Sequence, residues 1–420
     1  MNLLKTSFYS GIAVFIKLIS AFITAKILAI TVGVSGFAFF GQFMTFCQMV
    51  QSFAGNTLQT GVVKYIAKEP ESRENLLFIE NSALLISYVL IFAFLIFTLM
   101  FGHFISCIIF GSKVFYFFLI SAIVFLFPYS VTTIWLGVLN ALGKIKVYTL
   151  LNVTASLSFL ILVIIFSYLN GLNGALFALS IGSSLTFIIA FCLLKKELFC
   201  ILIPQKKYLN KTTIKKLLIF SSMTFTTVLI TPLSQISIRA YLSTKFSWEQ
   251  VGYWQAVSRV SDAYLLFFTT ALTTYFLPKF SAVKTKKAAN QELILGYTKL
   301  FPWVILLAIL IYYFREDITL VLYSKDFLPM LELYRLQLVG DVFKVASWLV
   351  SYLLLAKSQI KVFVFSEILF NFTFIIFTVF LTSIRGLSGT VEAFALNYFL
   401  YGIFMFLCLK RLKIRELNVQ

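Results

Sequence analysis

Long apolar runs recur from one end of the chain to the other, and no other feature constrains its folding as strongly. About 20 residues without a break in hydropathy make a helix long enough to cross the ~30 Å hydrocarbon core of a bilayer. Such runs are expected at 8–30, 37–63, 79–101, 115–139, 147–168, 174–194, 217–242, 251–277, 299–315, 333–356, 362–382 and 390–409. Little chain is left for a sizeable soluble domain. Of 420 residues, 60% are hydrophobic and 12% are charged, where soluble domains carry about 25% charged. The chain reads as an all-α integral membrane protein of about twelve transmembrane helices, and a soluble enzyme is excluded. The strand alternation of an outer-membrane barrel is absent. The first run follows Lys5 without a small-residue cleavage site, so it is expected to be a span rather than a removed leader.

The cysteines, Cys47, Cys107, Cys192, Cys200 and Cys408, form no CxxC pair, and His103 is the single histidine. Neither a disulfide framework, a metal site nor a histidine-dependent triad is expected, and no cofactor or catalytic residue is assigned.

The formal charge of +19 would suggest nucleic acid in a soluble protein. Here the loops decide its meaning. With the N-terminus placed in the cytoplasm, 24 Lys and Arg residues fall in inner segments and 5 in outer ones, and both termini are inside. Most of the charge is thus a topology signal and an attraction to anionic membrane lipids. No nucleic-acid partner is expected.

Half the chain repeats the other half. Trp135, Leu136, Leu142 and Lys144 recur as Trp348, Leu349, Leu355 and Lys357, and Lys26 and Gln42 recur as Arg239 and Gln255, all at an offset of 213. Gly171-Leu172-Asn173-Gly174 recurs as Gly386-Leu387-Ser388-Gly389 at 215. Six spans per half preserve orientation, which predicts two parallel six-helix lobes around a central cavity: 1–194 and 217–420, joined by a basic cytoplasmic linker at 195–216. Transporters with such repeats bind cargo near the midplane and rock around it.

Six basic residues fall within or at the edges of spans: Lys17, Lys26, Arg239, Arg259, Arg335 and Lys344. The in-span acids counted against them are Asp262, Asp341, Glu367 and Glu392. Each such charge costs about 2.5–3.5 kcal/mol in hydrocarbon, so it is expected to face protein or a wet cavity. Lys17 shares a helical face with Ser20 and Thr24. Arg259 can pair with Asp262, and Asp341 with Lys344, each three residues apart. The second span holds Gln42, Gln48, Gln51, Asn56 and Gln59 and is expected to face protein or water on one side. An excess of cation in a low-dielectric site suits an anionic passenger such as a phosphate or pyrophosphate.

Three stretches carry a family likeness: Phe246-Ser247-Trp248-Glu249-Gln250-Val251-Gly252-Tyr253-Trp254-Gln255 running on to Asp262-Ala263-Tyr264, Leu336-Gln337-Leu338-Val339-Gly340-Asp341-Val342-Phe343-Lys344, and Gly61-Val62-Val63-Lys64-Tyr65. Over nearly its whole length the chain resembles the Wzx flippases, which serve O-antigen and enterobacterial common antigen repeat units and belong to the multidrug/oligosaccharidyl-lipid/polysaccharide exporter superfamily. The resemblance implies a multi-pass protein of the bacterial inner membrane. It implies transport of undecaprenyl-pyrophosphate-linked oligosaccharides from the cytoplasmic to the periplasmic leaflet, beside a polysaccharide polymerase and a chain-length regulator. It also implies that Lys17, Lys26, Lys64, Arg239 and Lys344 line a cationic cavity. Asp262, Asp341 and Glu367 are then candidates for proton coupling or ion pairing. Arg259 departs from the family, which has a small polar residue there. The alternatives are an ion-coupled drug exporter of the same fold and a membrane polymerase or glycosyltransferase.

The inside-out charge asymmetry predicts that, in a cysteine-free background, a thiol placed at Ser324 is labelled by an impermeant maleimide added outside intact cells. A thiol at Ser72 is labelled only after the membrane is opened.

Overall fold

The computed structural model describes residues 3–194, 202–283, 285–357 and 359–410, and within them the side chains of 3–10, 183, 220, 222–227 and 360 are not described. Lys195, Lys196, Cys200, Lys284, Arg411, Lys413, Arg415 and the first part of the 195–216 segment therefore lie outside the described residues, and the side chains of Lys5, Ser222, Thr224, Thr226 and Thr227 are not described.

The described residues are helical almost throughout and contain no strand. The helices are α1 (Leu3–Thr31), α2 (Gly33–Gln51), α3 (Thr57–Ile66), α4 (Arg73–Phe110), α5 (Tyr116–Val124), α6 (Leu126–Ala141), α7 (Ile145–Leu194), α8 (Lys211–Lys245), α9 (Trp248–Ala271), α10 (Leu277–Ala282), α11 (Lys286–Lys299), α12 (Phe301–Tyr313), α13 (Arg315–Leu322), α14 (Tyr334–Ala356), α15 (Ile360–Arg385) and α16 (Ser388–Lys410). Among the described residues, nine helices are long and apolar enough to cross a membrane. The longest, α7, has 50 residues and is broken by non-helical backbone at Asn170 and Gly171, where the sequence separates two runs. The protein is a multi-pass membrane protein.

Sequence chemistry sets the helix ends. Ser72, Ser247 and Thr285 cap α4, α9 and α11, their hydroxyls accepting from the backbone N–H of Asn75, Gln250 and Ala288 at 3.2 Å. Gly111 ends α4 at φ +69°, a left-handed conformation that suits glycine. Several helices run well beyond their apolar windows: the expected 79–101 becomes α4, and the short 299–315 becomes the broken pair α11 and α12.

The Gly-Leu-x-Gly repeat has one backbone explanation in both halves. Gly171 and Gly386 each take a positive φ, +54° and +63°. Three residues on, a Cβ at Gly174 would stand 1.8 Å from the carbonyl oxygen of Phe166, and one at Gly389 would stand 2.4 Å from the backbone of Leu381. The first glycine turns the chain and the second lets the new helix start against the end of the old one. The second helix of each half also carries a π turn, Ser52–Asn56 between α2 and α3 and Leu272–Phe276 between α9 and α10.

Two compact units emerge, Met1–Ile236 and Ser237–Gln420. The core of the first gathers Leu58, Val62, Ile79, Leu84, Trp135, Val138 and Leu151 together with Leu217 of α8. Trp135, fully buried, stacks on Phe187 at 5.9 Å. In the same unit the segment after residue 201 is strapped to α4: Asn81 Oδ1 accepts from the Gln205 N–H at 2.7 Å, and the Tyr88 hydroxyl donates to the Leu202 carbonyl at 2.7 Å. In the second unit α14 is central. It packs on α16, α12, α9 and α15, and the Tyr297 hydroxyl of α11 donates to its Ala346 carbonyl at 2.6 Å.

Gly171→Ala and Gly386→Ala, each forcing an L side chain to positive φ, are expected to cost about 1–2 kcal/mol apiece. Thermal unfolding of purified protein in detergent checks this, with Gly11→Ala, inside α1 and with nothing within 4 Å of the added carbon, as the control that is unchanged or stabilised by up to about 1 kcal/mol.

Candidate functional site

The second unit gathers six of the nine candidate cavity residues: Arg239, Arg259, Asp262, Asp341, Lys344 and Glu367. The gathering depends on how closely α16 approaches α14. Gly340 has no side chain, and a Cβ there would stand 2.4 Å from the ring of Phe394 and 3.1 Å from the Ala395 Cα. One turn on, Lys344 extends between rings. Its Nζ lies 5.1 Å from the Trp348 ring centroid, 5.5 Å from Phe394 and 5.3 Å from Tyr398. Phe394 and Tyr398 are four residues apart on α16, as Gly340 and Lys344 are on α14, so one stripe docks on the other. A cation over aromatic faces gains about 0.5–2 kcal/mol per favourable contact as water is excluded.

Asp341, fully buried, holds its carboxylate on a different set of partners. The Tyr264 hydroxyl of α9 donates to Oδ2 at 2.9 Å, and the Gln337 amide donates to Oδ1 at 3.4 Å. The expected direct pair with Lys344 does not form. The helix interior gives Asp341 nearer donors, and its attraction to Lys344 acts through space. Glu367 of α15 stands 3.4 Å from the Tyr401 hydroxyl, which is also 3.3 Å from Ser351 Oγ, and it too feels Lys344. Asp262 is solvent-accessible and acts electrostatically on Lys344, Asp341 and Arg239. Arg239, 4% exposed, lies over Trp254 at 5.8 Å with Arg259 beside it. The structure thus links α8, α9, α14, α15 and α16 through one set of charges. Trp254 Nε1 and the Oε1 atoms of Gln255 and Gln337 are buried without a protein partner, a position worth about 1–3 kcal/mol to any group that reaches them.

Lys17, Lys26 and Lys64 belong to the first unit. Lys17 is accessible on α1 beside the buried Ser20 and Thr24, Lys26 is half-buried, and Lys64 is exposed at the end of α3, 5.6 Å over the Tyr65 ring. The second expected span is polar on one side as anticipated: Gln48 and Asn56 are accessible. Buried Gln42 spends its amide on the carbonyls of Ile109 and Ile236 at 3.0 and 3.1 Å. On α9 and beyond, Asp262, Thr270 and Thr273 are likewise accessible. An accessible polar stripe on a membrane helix marks a face turned from lipid.

Sequence reasoning missed two things. Glu80, one residue inside the third run, is a fifth in-span acid and fully buried, so six bases face five acids and the cation excess is smaller than the count of four acids suggested. The tyrosines Tyr264, Tyr398 and Tyr401, which partner the buried charges, were lost among 49 Phe and 20 Tyr. Their only sequence signal is spacing that places Tyr264 on the Ser261 side of α9 and Tyr398 on the Phe394 side of α16.

Residues 3–284 match the model of the polysaccharide biosynthesis protein family, about two thirds of the chain. The chain belongs to this family. It is 26% identical over 412 residues to the Lipid III flippases of Escherichia coli (strain K12) and Shigella flexneri, covering 96% of the chain and 99% of those proteins. Among solved structures it is similar to a multidrug resistance MATE family transporter of the MOP superfamily in an inward-facing conformation, with a TM-score of 0.81, 15% identity and 94% of each chain covered. It is also similar to the Lipid II flippase MurJ, with a TM-score of 0.73, 18% identity, 98% of this chain and 89% of that one. The all-helical membrane fold expected from the sequence is met among the described residues, and it is like that of the solved MATE and MurJ structures.

Gly340→Leu is expected to push α16 off α14 and lower stability by about 1–3 kcal/mol, whereas Val339→Leu, beside it but 41% exposed, changes it by less than about 0.5 kcal/mol. Thermal scanning of the two purified variants distinguishes them.

Proposed function

We propose that this protein is a flippase that carries an undecaprenyl-pyrophosphate-linked oligosaccharide repeat unit, of the O-antigen or enterobacterial common antigen type, across the bacterial inner membrane by alternating access. The observation that carries this reading is the end-to-end correspondence with proteins named Lipid III flippase, with no large segment left over on either side. No bond is made or broken, so the protein is a transporter and not an enzyme. In this reading twelve crossings place both termini in the cytoplasm, and 195–216 connects the two six-helix halves. A polymerase and a chain-length regulator use the delivered units.

The chemistry suits the cargo. A pyrophosphate head leaving water needs cations already in position, because each negative charge in a low-dielectric cavity otherwise costs several kcal/mol. Lys17, Lys26, Arg239, Arg259 and Lys344 can meet the head by charge-assisted hydrogen bonds, and Lys64 stands at the edge of the first unit as an entry contact. Asp262, Asp341 and Glu367 keep the loaded site from trapping its anion: they balance the cations when the cargo is gone and offer carboxylates that can take up protons as the site resets. The polyprenyl tail need not leave the bilayer. The drug-exporter reading has the fold in its favour, but its cationic passengers gain nothing from three cations in the second unit.

Complementation of a strain lacking its repeat-unit flippase tests the proposal, with surface polysaccharide as the readout. Wild type should restore it. Lys17→Ala and Asp262→Ala at equal expression should reduce it by about tenfold or more, the equivalent of ~1.4 kcal/mol. Full activity of Lys17→Ala, or no restoration across strains making several different repeat units, would move the drug-exporter reading to the front.

A further inference from the structure

The face of α9 opposite its polar stripe bears an unassigned groove. Its floor and walls are Phe267, Phe268, Tyr275, Phe276 and Trp303, its volume is about 400 Å³, and Lys299 lines it as the one charged residue. The groove exists because the helix is irregular there. The π turn Leu272–Phe276 interrupts the run from α9 into α10, and π turns recur at functional sites. Gly296 lets α11 close on Phe276, where a Cβ would stand 3.2 Å from that ring. A second cation stands at the rim: Lys279 Nζ lies 4.5 Å over the Tyr275 ring. The acid against it is Glu292, at 3.5 Å. Tyr275 and Trp303 are 48% and 61% exposed, rings with an apolar body and a polar tip that settle at headgroup depth. Lys279, Lys286, Lys287 and Lys299 all belong to this lysine-rich end.

An aromatic groove with two lysines at its mouth fits a molecule with one long apolar chain and a phosphate at its end. We propose that the groove between α9–α10 and α11–α12 binds an anionic phospholipid of the leaflet bordering the lysine-rich loops, an acyl chain lying on the rings and the phosphate held between Lys279 and Lys299. Charge decides the occupant, because the rings alone accept any acyl chain, and only the lysines favour phosphatidylglycerol over phosphatidylcholine. The proposal needs only that the chain spans a membrane, so it stands or falls separately from the cargo.

The test uses full-length protein in vesicles of phosphatidylcholine containing brominated-chain phosphatidylglycerol or brominated-chain phosphatidylcholine. The emission of Trp303 is taken as the part lost in Trp303→Phe. Phosphatidylglycerol should quench it with an apparent affinity roughly tenfold higher than phosphatidylcholine, two lysines each contributing on the order of the usual surface attraction. Lys279→Gln with Lys299→Gln should abolish that preference, and Lys299→Arg should keep it. Equal quenching by the two lipids in wild type overturns the proposal, as does a preference that survives the double substitution. Displacement of the quencher by a polyprenyl phosphate at lower concentration than by unlabelled phosphatidylglycerol also overturns it and gives the groove to the cargo's tail.

Discussion

In hydrocarbon a backbone carbonyl or N–H has no water to turn to, and leaving one unsatisfied costs several kcal/mol. Helix is therefore compulsory over most of this chain, and each departure from it must be repaired by protein. The π turn Ser52–Asn56 is repaired in this way: the Ser87 hydroxyl donates to the Ala54 carbonyl, while the Tyr129 hydroxyl braces the side chain of Asn56 at 2.7 Å. Gln42 serves two carbonyls on two other helices. Most hydroxyls in the apolar runs donate back to the carbonyl three or four residues earlier in their own helix, as Thr45 does to Gly41 and Thr378 to Phe374, and a few reach irregular backbone.

The same low dielectric organises the charges. Asp341, Lys344, Glu367 and Arg239 are each surrounded by groups that suit them: a hydroxyl and an amide for Asp341, rings for Lys344, a tyrosine for Glu367, and an indole face for Arg239. For Asp341 and Lys344, three residues apart, a hydroxyl, an amide and rings take the place of a close ion pair. A tight pair would neutralise both members and leave nothing for a passing anion, whereas caged and hydrogen-bonded charges keep their field. The arrangement suits a site that must be tolerable both empty and loaded. At the surface the ion pairs are ordinary and exposed, as between Arg385 and Glu392 at 3.4 Å, and contribute little.

The candidate site was half legible in the sequence. Asp341, Lys344, Asp262 and Glu367 stood out because charge is rare in such runs. Their partners were hidden because Tyr264, Tyr398 and Tyr401 come from different helices and look like any other aromatic of a lipid-facing chain. Three-residue spacing permits contact between Asp341 and Lys344, but the rings on α16 and the hydroxyl of Tyr264 compete for them. Glu80 was passed over because it sits at the end of a run, where acids are ordinarily wet.

The sequence by itself determined that the chain is a bundle of membrane helices, where its turns fall, and that its halves repeat, because hydropathy and glycine conformations act locally. Gly171 and Gly386 turn the chain whatever surrounds them. Only the tertiary structure decided that Gly340 brings α16 against Lys344, that Asp341 binds Tyr264 rather than its neighbour three residues on, and that a groove opens beside Lys299. Those outcomes depend on which helix faces which, and in a lipid-like sequence many faces are nearly equivalent until close packing selects among them.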